Sequence, residues 1–372
     1  MRRLVLFIAV VALAVGTQAQ ERPLSDNATA SIVTCGPGND FYLSFGHSAI
    51  RICDSINGID YAYNYGTFDF DVPHFYWNFA RGMLDYCLSR TSFEHFLMTY
   101  DYEQRAVCEQ QLDMSAQEVN NLFVMLEWNY QPENRYYRYD FFRDNCATRV
   151  RDMVEFAMGH NPPSYSEAYS GRSYRRYVHE SAGPCQQWWT LGVDMLLGLP
   201  ADHRCDAREV MFHPIMMMQT FVSSTRGNGN VVLPTRQYLT DHREPLHRSL
   251  PPLVVFAIIF VVVALLSWKQ LWPRWADRVL LMVAGLAGLF LCFMWFGTDH
   301  WCTRWNLNIL WASPLLLLIA LRLEHSPRWS LWLQQGCFAV AAIWVVACHL
   351  SAAIIPIILT LSLRVGTLMK SR

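Results

Sequence analysis

The sequence has no surplus of either charge: 30 Lys and Arg stand against 31 Asp and Glu, a formal net charge of −1. A nucleic-acid binder needs a basic excess to meet phosphates, so no nucleic-acid partner is expected. There is no internal repeat and no low-complexity linker, which removes stacked-repeat architectures. The ligand-like run "DHRCD" (202–206) has no second cluster to complete a site, so no metal is expected, and no cofactor is implied. Charge is also missing locally. Residues 249–268, 279–298, 305–321 and 329–363 contain no Asp, Glu, Lys or Arg at all.

Those four runs make the C-terminal third membrane-like. A bilayer core takes about 20 apolar residues per helix, so 329–363 is too long for one crossing and divides near His349–Pro356. Five spans are expected over 249–372. Lys269, Arg274 and Arg278, then Arg322 and Arg328, then Arg364, Lys370 and Arg372 fall in alternate connections. Cytoplasmic placement of these cations puts residues 20–248 outside the inner membrane. The opening "MRRLVLFIAVVALAVGTQAQ" agrees, reading as a signal peptide over 1–19. No Cys follows that cut, so the chain is not itself a lipoprotein. The expected organisation is a periplasmic domain over 20–222, a linker over 223–248 and a multi-pass membrane domain.

Seven of the eleven cysteines lie in the exported part: Cys35, Cys53, Cys87, Cys108, Cys146, Cys185 and Cys205. Cysteines outside the cytoplasm tend to pair, and an odd number leaves at least one thiol. Cys35–Cys53, Cys87–Cys108 and Cys185–Cys205 are the convenient neighbours.

In "FYLSFGHSAIRICDSINGIDYAYNYGTFDF" (41–70), Asn57-Gly58 marks a hairpin turn between two apolar runs. A two-residue loop sets Arg51 opposite Asn64 and His47 opposite Phe68. Side chains alternate along strands, so His47, Arg51 and Asn64 share one face. That face is more polar than a plain core. Single strand histidines are commonly structural, and Arg51 with Asn64 also fits a cross-strand polar pair.

Thr91 with Glu94, and Ser115 with Glu118, have capping-box spacing ahead of two scaffold helices. In "FRDNCATRVRDMVEF" (142–156), Asp144 and Asn145 are cap residues, and apolar spacings of three and four run on to Gly159. Cys146 therefore sits in the first turn of an amphipathic helix. Unpaired backbone N–H groups and the helix dipole favour its thiolate there and can hold an oxyanion. A disulfide half and a nucleophile both remain open on this local reading.

The order of "GHSAIRI", a hairpin and "NCATRVRD" at a helix start resembles circularly permuted papain-like (NlpC-like) cysteine enzymes, in which His precedes Cys. Lecithin:retinol acyltransferase and its relatives share an Asn-Cys pair at the nucleophile. "GHSAIR", "YNYGTFDF", "RDNCATRVRD", "LGLPAD" and "WNLNILWASP" together resemble the Lnb family of lipoprotein N-acyltransferases, over essentially the whole mature chain. The fold this implies is α+β: a permuted papain-like exported domain followed by a helical transmembrane bundle.

The resemblance further implies Cys146 as nucleophile and His47 as base, with Asn64, from the register above, as the orienting residue. A phospholipid would acylate Cys146, and the α-amine of a diacylated lipoprotein would take the acyl group from the thioester. Arg51, Asn145, His300, Asn306 and Asn308 are candidate substrate contacts, the last three near the outer end of a span, where lipid would enter. The alternatives are a membrane-anchored cell-wall amidase or peptidase using the same dyad, and a non-enzymatic membrane scaffold with Cys146 in a disulfide. Five spans exceed what an anchored peptidase needs.

Overall fold

The computed structural model describes residues 23–68, 71–183, 185–246 and 249–370; the expected signal peptide, 1–19, lies outside the described residues. In chain order come β1 (Thr29–Cys35), β2 (His47–Asp54), β3 (Ile59–Thr67), α1 (Phe75–Ala80), β4 (Asp85–Ser92), α2 (Phe93–Tyr102) and β5 (Val107–Gln111). They are followed by α3 (Ala116–Tyr130), β6 (Tyr136–Arg138), α4 (Cys146–Met158), α5 (Tyr174–Ala182), α6 (Gln187–Leu196) and α7 (Pro214–Val222). The short pair β7 (Thr225–Arg226) and β8 (Gly229–Asn230) precedes β9 (Arg236–Leu239).

Seven strands form one antiparallel sheet in the order β6-β4-β3-β2-β1-β5-β9. Alternation along the central strands sends side chains to two cores. Ile32, Ile50, Ile52, Tyr63 and Tyr65 meet Val119, Leu122 and Leu126 of α3 and Val150 and Val154 of α4. Val33, Ala49 and Ala62 meet Phe93, Phe96 and Tyr100 of α2 on the other side. The N-terminal part is thus an α+β domain with α4, the helix that begins at Cys146, on one sheet face.

Local signals hold in part. Ser115 and Glu118 form the expected capping box of α3. The cap of α2 is Ser92, one residue after the expected Thr91, and it accepts from the His95 N–H. The β2–β3 turn spans four residues rather than two, because the buried Asp54 carboxylate accepts from the Ile56 N–H, the Asn57 N–H and the Asn57 amide. Asp54 therefore pairs with Ile59, and Arg51 with Ala62. The register moves by two residues, an even step, so every side chain keeps its face. The stretch read as a linker supplies the edge strand β9, which pairs with β5.

All eleven cysteines are free thiols, and the suggested pairs are geometrically excluded or unmade. Cys35 pairs with His47 at one end of the β1–β2 ladder while Cys53 pairs with Thr29 at the other. Cys87 on β4 and Cys108 on β5 are separated by three strands.

The C-terminal part is helical: α8 (Pro252–Trp268), α9 (Arg274–Phe296), α10 (Leu315–Leu321), α11 (Arg328–Ala347) and α12 (Ile354–Lys370). Among the described residues, α9 and α11 are long and apolar enough to cross a membrane. The segment Trp301–Leu310 joins α10 as a third candidate bent by 41°, and α8 is a shorter apolar helix. Gly288 of α9 lets it pack on the next segment, since a Cβ there would lie 1.7 Å from the Ala312 carbonyl oxygen. At one end of the bundle Arg364 clasps Asp277 through two bonds of 2.6 and 2.9 Å and donates to Ser267, binding α12, α9 and α8 together.

The two parts meet at the C-terminus of α6. Asp194, wholly buried, accepts from Arg175 at 3.0 Å, from His179 at 2.8 Å and from the Ser351 N–H at 2.6 Å. Arg175 also reaches Asp202 at 2.7 Å. The last carbonyls of a helix have no intrahelical donor. Here Asn308 donates to Asp194 O at 2.8 Å, and Asn306 to Met195 O and Leu196 O at 2.8 and 3.0 Å. Nearby, Trp301 lies against Phe142 and under the Arg143 guanidinium at 3.4 Å, so the loop after α9 braces the turn that leads into α4.

Candidate active site

The chain enters α4 through a tight turn in which Asp140 and Asp144 exchange both backbone bonds, and the Asp140 carboxylate accepts from the Phe142 and Arg143 N–H groups. Asn145 then caps the helix. Its side-chain oxygen accepts from the Thr148 N–H at 3.0 Å, while its own N–H donates to the Thr148 hydroxyl at 2.8 Å. The Asn145 amide nitrogen donates to Phe141 O and Phe212 O, each at 2.8 Å. Every polar atom of Asn145 is spent on holding the helix start. Cys146 is the first helical residue, 8 % exposed.

His47 opens β2, and Asn64 lies on the adjoining β3. The β3–β4 register slips between Asn64 and Thr67, so β3 carries an extra residue there, and Gly66 takes φ +93°. Such a bulge bends the strand end and re-aims its side chains. The Asn64 side-chain oxygen accepts from His47 Nε2. Nδ1 is then the nitrogen left for Cys146, with which His47 shares a hydrogen bond.

Burial alone would push the Cys146 thiol up, but the facing His47, by charge and hydrogen bond, and the N–H groups of Ser48 and Ala147 bring it below its ordinary value. Burial would push His47 down; the thiolate and the Asn64 bond overcome this and raise it. The cause that the two shifts share is the attraction between the facing Cys146 and His47. The Ser48 and Ala147 N–H groups thus face the Cys146 sulfur.

Two tyrosines near the sulfur carry no motif and were invisible to sequence reasoning. Burial and then Cys146 raise the hydroxyls of Tyr137 and Tyr139. Tyr137 is 7 % exposed and its hydroxyl has no hydrogen-bond partner among the described residues. Arg149, one turn after Cys146 and clamped by Asp144 at 2.6 and 2.8 Å, stacks 3.6 Å from the Tyr137 ring.

The structure therefore brings Cys146, His47 and Asn64 together and disperses the other candidates. Arg51 is held bidentately by Asp60 at 2.7 and 2.8 Å, donates to Glu109 and Tyr238, and lies 3.8 Å over the Phe93 ring. Its guanidinium belongs to the α2 side of the sheet. Asn306 and Asn308 are 1 % and 0 % exposed, their amides filled by α6 carbonyls, so they form the joint rather than a lipid path. His300 donates to Phe79 O at 3.2 Å, joining the same outer loop to α1.

No curated protein and no solved structure is similar enough to match the chain. Residues 18–170 match the Lnb N-terminal periplasmic domain, and residues 244–371 match the Lnb transmembrane domain. The two matches take in β1 to β6 of the sheet, the Cys146–His47 pair and the C-terminal helical part, in that order. The chain belongs to the Lnb family, as a membrane protein with a periplasmic N-terminal domain and a role, broadly, in lipoprotein maturation.

Proposed function

We propose that the protein is a lipoprotein N-acyltransferase of the inner membrane, with Cys146 as nucleophile, His47 as acid and base, and Asn64 orienting the imidazole. The observation that carries the reading is the Cys146–His47–Asn64 constellation, with Cys146 buried and its two partners partly buried, in a domain seated directly on a helical membrane part. Cys146 stands as a free thiol, which supports the nucleophile reading over the disulfide one. Five crossings, α8 through α12 with the bent segment as one of them, keep residues 23–246 on the periplasmic side.

The thiolate attacks the carbonyl carbon of a phospholipid acyl ester, and the carbonyl oxygen becomes an oxyanion facing the Ser48 and Ala147 N–H groups. Collapse breaks the ester C–O bond. The leaving lysophospholipid oxygen takes the proton from the His47 imidazolium, and a thioester remains on Cys146. The α-amine of a diacylglyceryl-cysteine lipoprotein then attacks the thioester while His47 accepts its proton. A second collapse forms the amide and frees the thiolate. The 8 % exposure of Cys146 keeps bulk water from the thioester, which favours the amine over hydrolysis.

Mass spectrometry of lipoprotein N-termini tests this in cells that rely on this protein for N-acylation. Cys146→Ser is expected to leave diacylated N-termini with free amines. Persisting N-acylation in that variant would overturn the acyltransferase reading. A cell-wall amidase would instead leave N-termini unchanged and alter peptidoglycan fragments.

A further inference from the structure

The short helix α1 presents its aromatics outward. Tyr76 is 82 % exposed, Trp77 54 % and Phe79 50 %. Three large aromatics on one exposed turn are unusual for a surface in water. Their position accounts for them. Trp77 stacks on Phe293, one turn from the end of α9, with ring centroids 5.6 Å apart. Two backbone-anchored contacts hold α1 at that level: the Asp299 N–H donates to Arg81 O at 2.8 Å, and His300 donates to Phe79 O. Phe296, 74 % exposed, and Trp305, 61 % exposed, continue the aromatic ring at the same end of the bundle. Arg81 sits 5.9 Å from the Trp77 ring, where a cation meets lipid phosphate.

We propose that α1 is a membrane foot of the periplasmic domain: Tyr76, Trp77 and Phe79 lie among the head groups and upper acyl chains of the outer leaflet, beside α9. The partner is a phospholipid surface. Tyr and Trp belts mark this depth because one part of each ring is apolar and the other wet, and a short helix binds there through its buried aromatic area. The foot is continuous with the site. Phe75 packs on Phe68, Phe68 on Tyr86, and Tyr86 stacks on Tyr139 at 4.2 Å. Tyr139 packs against the core cluster that contains Cys146. An aromatic lane thus runs from the lipid surface to the nucleophile. The embedding of α1 rests on the membrane assignment of α9, and its use as the donor's way in rests on the acyl-transfer reading above.

The full-length protein, reconstituted in vesicles of phosphatidylethanolamine and phosphatidylglycerol, tests both. A photo-reactive benzophenone side chain replaces Tyr76 in one sample and Tyr102 in another; Tyr102 is 92 % exposed at the far end of α2. Lipid adducts by mass spectrometry are expected at position 76, at least about tenfold above those at 102. Equal yields at the two positions would overturn the proposal. In a second arm, the double variant Tyr76→Ser, Phe79→Ser is expected to keep the parent rate of Cys146 alkylation while acylating from vesicle phospholipid about tenfold more slowly. An unchanged acylation rate would overturn the delivery role. A parent protein that forms no acyl-enzyme, yet gives lipid adducts at position 76, would sink the acyl-transfer reading and leave the membrane foot standing.

Discussion

Gly66 and Cys146 face each other at the end of the sheet: a Cβ on Gly66 would lie 3.7 Å from the Cys146 Cβ and 3.7 Å from His47 Cε1. The glycine is required by its backbone and not by the gap. At φ +93° an L side chain is strained, at a cost of about 1–3 kcal/mol. Gly66→Ala is expected to relax the bulge and swing Asn64 off His47. Misplacement by about 1 Å costs on the order of 100-fold in rate. Acyl-enzyme formation should fall by that order while the thermal midpoint drops only a few degrees. Parent-like acylation by Gly66→Ala would show that the bulge does not position the pair.

The opposed shifts of Cys146 and His47 set a pH dependence. Cys146 lies below its ordinary value, so its thiolate, and its alkylation by iodoacetamide, should persist to pH values where a free thiol of pKa about 8.5 is protonated. Reactivity is lost as pH falls through the lowered Cys146 pKa. On the other side, His47 keeps its proton to higher pH than a free imidazole. Transfer to the leaving group is lost as pH rises through that raised value, so acylation should be bell-shaped. His47→Ala leaves only the Ser48 and Ala147 N–H groups to oppose burial and should move the alkylation midpoint upward. A parent midpoint at or above 8.5 would contradict the ion pair.

Tyr137 carries a third expectation. Its hydroxyl, without a hydrogen-bond partner among the described residues, lies in the same core as Cys146, with the ring fixed by Arg149. Leaving a buried donor unpaired costs about 1–3 kcal/mol, a penalty relieved when a substrate oxygen arrives. Tyr137→Phe is expected to stabilise the resting protein or leave it unchanged, and to slow acylation by about 10–100-fold. Equal thermal midpoints with equal acylation rates would remove Tyr137 from the chemistry.

The core of the site was legible in the sequence because it rests on local rules. A capping Asn before a periodic run placed Cys146 at a helix start, and strand parity put His47 and Asn64 on one face. That parity survived a wrong register, since the Asp54 carboxylate enlarged the turn by two residues and an even slip preserves faces. Other features depend on distant partners. Polar residues at the outer end of a span pointed to a lipid path, but Asn306 and Asn308 answer the open carbonyls of α6, a helix more than a hundred residues upstream. Cysteine counting suggested pairs without knowing that β3, β2 and β1 stand between Cys87 and Cys108. Tyr137 has no motif at all. Its relevance comes from the packing of β6 beside β4 and α4.

The joint at Asp194 supplies the last prediction. Its carboxylate is wholly buried and receives Arg175, His179 and the Ser351 N–H, so it ties the periplasmic domain to the turn between α11 and α12. Removing one member of a buried ion pair costs about 3–5 kcal/mol, because the other charge is left without its counterion. Arg175 is 1 % exposed and keeps one charged partner, the partly exposed Asp202, besides the Leu197 and Gly198 carbonyls. Asp194→Ala is therefore expected to lower the thermal midpoint in detergent by on the order of 10 °C. Asp194→Asn keeps the shape and part of the hydrogen bonding, and should fall between the two. Cys146 and His47 lie outside this cluster, so the pH midpoint of alkylation should stay at the parent value below the transition. Acylation from vesicle lipid should slow, since the domain then loses its fixed height above the bilayer. An unaltered midpoint in Asp194→Ala would mean that the two parts are held together elsewhere, with the outer loop's Trp301 and its Phe142 and Arg143 contacts as the next place to cut.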